Sequence, residues 1–341
     1  MGLSQVHHHK STIVAHLIDA IDKAFSNIHQ DEPQLIANLV HHLVYRFNKY
    51  IAPLFALEGV TAQSGGVFVH QRPTAALIPP NTFPASKPKS VELGDLLLVL
   101  SLTEKGVTDR VAMLLQAKKV SSIPTTLGSS RNQHHLYAHW PPFEYQIPSS
   151  LRGNSRHITG PGLYQGGKYL LINQNGRGMP VRLGSRYALL SAGAVGFTAE
   201  PHPGELSGYR DFEDELYAFL FGNAGRAYVS PPSIGSIGWD QVIEDLISGT
   251  AKLATTWMKG ASAGGDQSRH RGLFLCGFQN SLKLTAERIL LRASADWDNW
   301  CRDSNGPPDV PPEIDTNIFG EGGGISIVEF AVTVNDEGGH R

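Results

Sequence analysis

The stretch from Gly94 to Val120, GDLLLVLSLTEKGVTDRVAMLLQAKKV, constrains this chain more than any other. Leu96 to Leu102 is an apolar run of strand length, and Val111 to Leu115 is a second. Between them Gly106 supplies the permissive backbone that a tight turn needs, so the stretch reads as a β-hairpin. With Lys105 and Gly106 as the two loop residues, paired positions sum to 211, and Asp95 faces Gln116. Directly opposed side chains share a face, roughly 5 Å apart at Cβ. Lys118, two residues on, points to that face as well. A slip of one residue would send Asp95 to the other side. An acid, an amide and an ammonium group therefore converge where an otherwise apolar hairpin opens.

Carboxylate and carbonyl oxygens suit a hard divalent cation such as Mg2+. A neighbouring lysine can orient or deprotonate an attacking water, or neutralise charge on a phosphate. The bland alternative is a core hairpin in which Lys118 snorkels and Asp95 only opens a strand. Asp95 followed by Gln116-Ala117-Lys118 resembles the PD-(D/E)xK, restriction-endonuclease-like nuclease superfamily, in the QxK variant of Mrr-like restriction enzymes. Gln133-His-His-Leu-Tyr137 resembles the QxxxY element that follows the ExK strand in RecB-like members. On a helix Gln133 and Tyr137 are i and i+4 and share one face.

The resemblance covers about Glu92 to Tyr145. It implies an α/β fold with a restriction-endonuclease-like mixed sheet flanked by helices. It implies Asp95, Gln116 and Lys118 as catalytic residues. The ligands to Mg2+ (or Mn2+) would be Asp95, the Gln116 side-chain oxygen and the Ala117 backbone carbonyl. Gln133, Tyr137 and Lys119 would support the site or hold substrate. The activity implied is hydrolysis of DNA phosphodiester bonds, by an endonuclease or related nuclease of a restriction or phage-defence system. The resemblance leaves room for a partner subunit of such a system or for a homo-oligomer. Gln116 departs from the commoner acid, offering a metal an oxygen but no charge, so Glu92 or another carboxylate would have to join for tight binding. Some members draw that acid from an N-terminal helix, and Glu58 is the nearest candidate here. The same departure leaves open a nuclease-fold subunit that binds nucleic acid or a partner protein and cleaves weakly or not at all.

The bulk numbers narrow the alternatives. Net charge is −2, so the whole chain does not advertise nucleic-acid binding. Between Lys87 and Arg156, however, nine Lys/Arg stand against five Asp/Glu, +4, leaving −6 elsewhere. A mildly basic segment around the proposed site suits a phosphate backbone, and equally an ordinary solvated surface. Two cysteines, Cys276 and Cys301, form no ligand spacing and no disulfide framework, which points to a cytoplasmic protein. No run reaches the roughly 18 apolar residues of a membrane span, and no signal peptide is expected. The lack of GxxxxGK[ST], of GxGxxG after a strand and of GxSxG argues against NTPases, dinucleotide enzymes and α/β-hydrolases.

Along the chain, residues 11–29 have the apolar spacing of an amphipathic helix. A second helix begins at Asp31-Glu-Pro-Gln34, where Asp31 caps and Pro33 suits the first turn. Val67 to Pro73 reads as a short strand, and residues 79–90 and 121–130 as loops. Arg131 to His139 reads as a helix stopped at Trp140-Pro-Pro. Its His135 and His139 have zinc-compatible spacing with no cysteine or HExxH to support it. Trp140, Phe143 and Tyr145 suit the core better than base stacking. Lys168 to Asn173 and Tyr187 to Ser191 read as strands, the first giving a ββαβ order. Helices are expected at Tyr209–Phe221, Trp239–Trp257 and within Leu284–Trp300, and strands at Arg271–Phe278 and Ile325–Val334. These divide into an N-terminal helical hairpin (1–60), a nuclease-like core (61–195) and a C-terminal α+β extension (196–341). The last is a second lobe, an interaction surface or an elaboration of the same domain.

Overall fold

The hairpin forms as its turn dictates. In the computed structural model, which describes residues 2–69, 73–78, 90–123, 131–175, 196–203, 205–262, 273–276 and 324–334, Lys105 and Gly106 both take positive φ, 50° and 76°. Two successive left-handed residues make the turn whose twist matches the flanking strands, and a glycine at the second position removes most of its strain. Pairing then runs without a slip from Glu104↔Val107 to Leu96↔Leu115, the register that sums to 211.

The helices are α1 (Leu3–Val6), α2 (Lys10–Ala24), α3 (Glu32–Arg46), α4 (Ala52–Leu57), α5 (Arg131–His139), α6 (Leu163–Gly166), α7 (Phe212–Leu220) and α8 (Trp239–Ser262). The strands are β1 (Val60–Val69), β2 (Thr74–Leu77), β3 (Ser90–Glu92), β4 (Leu96–Glu104), β5 (Val107–Val120), β6 (Phe143–Ile147) and β7 (Ser155–Arg156). After them come β8 (Gly167–Asn173), β9 (Gly196–His202), β10 (Glu205–Asp211), β11 (Arg226–Ala227), β12 (Leu273–Cys276) and β13 (Ser326–Val334). The central sheet has the order β10-β9-β8-β5-β4-β13-β1-β12, with β11 also paired to β5. β5 runs parallel to β8 and β4 parallel to β13, while the other pairs are antiparallel. A smaller sheet follows the order β3-β2-β6-β7. The chain is thus mixed α/β, with a mixed central sheet flanked by helices.

Alternation along the strands divides the apolar residues between two cores. Leu96, Leu98, Met113, Leu115, Leu170 and Val328 pack against α2, α3 and α7 on one face. Leu97, Val99, Leu114, Leu171 and Ile327 pack against α5, α8 and the small sheet on the other. The first face carries the helical pair expected from residues 11–29 and from Asp31 onward. Asp31 accepts from the Gln34 N–H at 3.1 Å and caps α3, with Pro33 in its first turn. Helix α2 ends at Ala24, short of residue 29.

Within the central sheet β8 is the next strand after β4, β5 and α5, as the expected ββαβ run has it, but β6, β7 and α6 intervene along the chain. Tyr209 to Asp211 is a correction: these residues close the edge strand β10, paired to β9 through Asp211↔Phe197, and helix α7 begins only at Phe212. Sheet pairing overrides the helical pattern there. Strand β13 inserts between β1 and β4, and β9 and β10 extend the sheet beyond β8. The described strands past 196 therefore elaborate the sheet that holds the hairpin. The strand expected at Tyr187–Ser191 and the helix expected in Leu284–Trp300 lie outside the described residues.

Candidate functional site

The register brings Asp95 onto Gln116. Asp95 Oδ2 accepts hydrogen bonds from Gln116 Nε2 and from the Ala117 N–H, the latter at 2.8 Å. The Asp95 N–H donates to Leu115 O at 2.9 Å, so the acid is held at the mouth of the ladder by its own backbone. Gln116 Oε1 in turn accepts from Gln133 Nε2 at 2.5 Å, and that nitrogen also lies 3.4 Å from Glu92 O. Asp95, Gln116 and Gln133 are all buried, Gln116 completely. A carboxylate and two amides thus form one continuous chain between β4, β5 and α5.

Helix α5 reaches this chain because its inner face repeats at helical spacing: Gln133, Leu136, Tyr137 and Trp140 are all buried. The Tyr137 hydroxyl donates to Leu93 O at 2.6 Å. That approach depends on Gly94, where a Cβ would meet Leu114 Cδ1 at 2.7 Å and Tyr137 Oη at 3.0 Å. Trp140 takes a left-handed backbone, φ 43°, where the helix stops before Pro141. Trp140, Phe143 and Tyr145 are fully buried, in the core as expected. Tyr169 of β8 stands opposite Gln116 in the ladder. Its hydroxyl is buried and has no hydrogen-bond partner among the described residues. Burial raises the Tyr169 phenol above the ordinary range, and the Asp95 charge adds to it. Burial pushes the Tyr137 phenol up as well, with Tyr169, Asp95 and Glu92 contributing. Both phenols therefore remain hydroxyl donors at any working pH.

The two lysines divide. The Lys118 ammonium stands 3.5 Å from Glu32 Oε2 at the start of α3. Glu32 Oε1 accepts from the Lys119 N–H at 3.2 Å, so one carboxylate spans both residues. Lys119 Nζ donates to the carbonyls of Ile28 and Gln30 at 2.6 and 3.0 Å, tying the α2–α3 connection to the end of β5. Lys119 is thus placed as a support. The acid from the N-terminal helices that stands beside Lys118 is Glu32. Glu58, the acid expected there, instead receives His9 at 2.9 Å, at the far end of α4. No spacing rule could have found Glu32, which meets Lys118 only through packing of elements distant in the chain.

The donor set matches a hard cation in kind, with one condition. Asp95 supplies a carboxylate, Gln116 an amide oxygen and Ala117 a carbonyl. As arranged, however, Gln116 presents its nitrogen to Asp95 and its oxygen to Gln133. Its amide N–H occupies the position at Asp95 that a cation would take. Coordination requires that amide to turn over. Among the described residues no group of three or more His, Cys, Asp or Glu is gathered as a metal site. The His135 and His139 rings lie 4.7 Å apart between centroids, tilted by 45°. Among the described residues no helix is long and apolar enough to cross a membrane. No protein-family model, no curated protein and no solved structure matches the chain.

Proposed function

We propose that the chain is a metal-dependent nuclease that hydrolyses DNA phosphodiester bonds through Asp95, Gln116 and Lys118. The observation that carries this reading is the contact of Asp95 with both Gln116 and the Ala117 backbone at one strand end. Asp95, the Gln116 oxygen and the Ala117 carbonyl would hold Mg2+ or Mn2+. When bound, the ion would lower the pKa of a water and stabilise charge on the phosphate oxygens. Asp95 fixes the position of the strand end, and the Gln133–Gln116 bond sets which end of the amide meets it. Lys118, drawn toward Glu32, would swing to a phosphate and neutralise it. Tyr137 clamps Leu93 and so holds the loop that carries Asp95. A setting in restriction or phage defence, with a partner subunit, remains part of this proposal.

A second reading, a nuclease-fold subunit that binds without efficient cleavage, is favoured by one observation. Both ends of the Gln116 amide are already engaged by protein groups, and Gln116 is fully buried. Purified protein on supercoiled and linear DNA, with Mg2+, Mn2+ or EDTA, separates the two. The nuclease reading expects metal-dependent cleavage that falls at least about a hundredfold in Asp95→Ala and in Lys118→Ala, both still folded by circular dichroism. Full activity in both variants refutes the assignment. DNA binding with no cleavage under either metal selects the second reading.

A further inference from the structure

Helix α3 does not stop at Arg46 but widens into a π-helical segment, Phe47–Ile51. Such segments are rare and concentrate at functional positions. This one gathers an aromatic and cationic cluster on the surface, at the end of α3 remote from Glu32. The wider turn lets Tyr45 and Tyr50, five residues apart, come to 6.4 Å between ring centroids, edge to face. The Lys49 ammonium lies 5.0 Å from the Tyr45 ring and 5.3 Å from the Tyr50 ring, and donates to the Tyr45 hydroxyl at 2.5 Å. The Arg46 guanidinium lies 5.0 Å from the Tyr50 ring and is fixed by Asp19 at 2.5 Å. From α2 the His16 ring stacks on Tyr50, 5.0 Å away and within 15° of parallel. Lys49 is exposed, and both tyrosines and His16 are half-exposed.

We propose that this turn is a second ligand site, one that takes single-stranded nucleic acid, with Lys49 on a phosphate and Tyr50 and His16 as the plane on which a base stacks. Cations interleaved with aromatic faces are the combination that holds single strands without reading sequence, because every base has a π-face and every nucleotide a phosphate. His16, Tyr45, Lys49 and Tyr50 are all outside the buried core that α2 and α3 otherwise fill. The site stands about 20 Å along α3 from the Lys118–Glu32 contact, the length of about six stacked nucleotides. It does not depend on whether Asp95 supports cleavage.

The test is fluorescence anisotropy of a labelled oligonucleotide, run as DNA and as RNA of one sequence, in EDTA so that no metal-dependent reaction intervenes. Wild type is expected to bind either strand, more weakly as salt rises. Lys49→Glu and Tyr50→Ala are each expected to weaken binding about tenfold. The control Lys105→Glu, which makes the same charge change at the exposed hairpin turn, is expected to change it less than about twofold. No binding by wild type overturns the proposal. So does a Tyr50→Ala protein that binds like wild type, whatever Lys49→Glu does, and so does an equal loss in Lys105→Glu. Cleavage assays on the same variants keep this outcome separate from the fate of the Asp95 site.

Discussion

Two buried polar clusters occupy neighbouring strands of the central sheet, one on each face, and they are built in opposite ways. On the α7 face, Lys168 of β8 lies 2.7 Å from Glu215 and 3.3 Å from Glu200, and Arg210 lies 3.5 Å from Glu215. Lys168 and Glu215 are almost fully buried, so full charges meet full charges. On the α5 face, Asp95 is answered by the Gln116 amide and a backbone N–H, and Gln116 by Gln133. An ammonium–carboxylate contact has one workable arrangement. A chain of amides has two, because each amide carries a donor at one end and an acceptor at the other. The ionic cluster therefore reads as a lock. The amide chain has a second arrangement that a cation could select, and for that reason the proposed chemistry is placed there rather than at the charged cluster.

The contrast breaks first where charge is stranded. Glu215→Ala should cost about 3–5 kcal/mol in urea denaturation, because it leaves Lys168 buried beside one partly exposed acid. Replacing both partners, Lys168→Met with Glu215→Leu, should recover most of that loss. A cost below about 1 kcal/mol in the single variant would mean that the pair locks nothing.

Next comes Glu213, buried in the first turn of α7, where desolvation and the Asp211 and Asp214 charges raise its carboxyl to about 7. The folded protein then keeps a proton that the unfolded chain releases near 4.5. Its contribution should make stability fall as pH rises from about 4.5 to 7, and level off above. Glu213→Gln should remove that slope and stabilise the protein at pH 8 by up to about 3 kcal/mol. His42 acts in the opposite sense. Burial, with His41, Lys23 and Arg46, lowers it to about 4, so it costs stability as pH falls below about 6.5. An unchanged pH profile in Glu213→Gln would place that carboxyl in water.

The amide side should respond more gently. Tyr137→Phe strands the buried Leu93 carbonyl and should cost about 1–2 kcal/mol. Asp95→Asn keeps an oxygen to accept from Gln116 and Ala117, and should cost less than about 1 kcal/mol while cleavage is lost. A larger thermal shift in Asp95→Asn than in Glu215→Ala would reverse the assignment of the two clusters.

Local chemistry made part of this legible in the sequence. The Lys105-Gly106 turn sets the register, and alternation then puts Asp95 on Gln116 with no knowledge of the fold. The spacing of Gln133, Tyr137 and Trp140 likewise gives the buried face of α5. What stayed hidden depends on residues far apart in the chain. Nothing near Ser326–Val334 announces a partner in β4, more than two hundred residues earlier, although the strand itself is clear. Glu32 reads as a helix-start residue until α3 packs against the end of β5. Glu58 is the nearest acid that the resemblance offers from the N-terminal helices, yet His9 takes it. Tyr209 to Asp211 lead into an acidic helix start, and only the neighbouring β9 reveals them as strand.

The most direct test of the amide-turnover account is Mn2+ binding, followed by electron paramagnetic resonance, in wild type, Gln116→Glu and Asp95→Ala. One site is expected in wild type, a site at least about tenfold tighter when Gln116 gains a charge, and none when Asp95 is removed. Equal binding in all three proteins would contradict it.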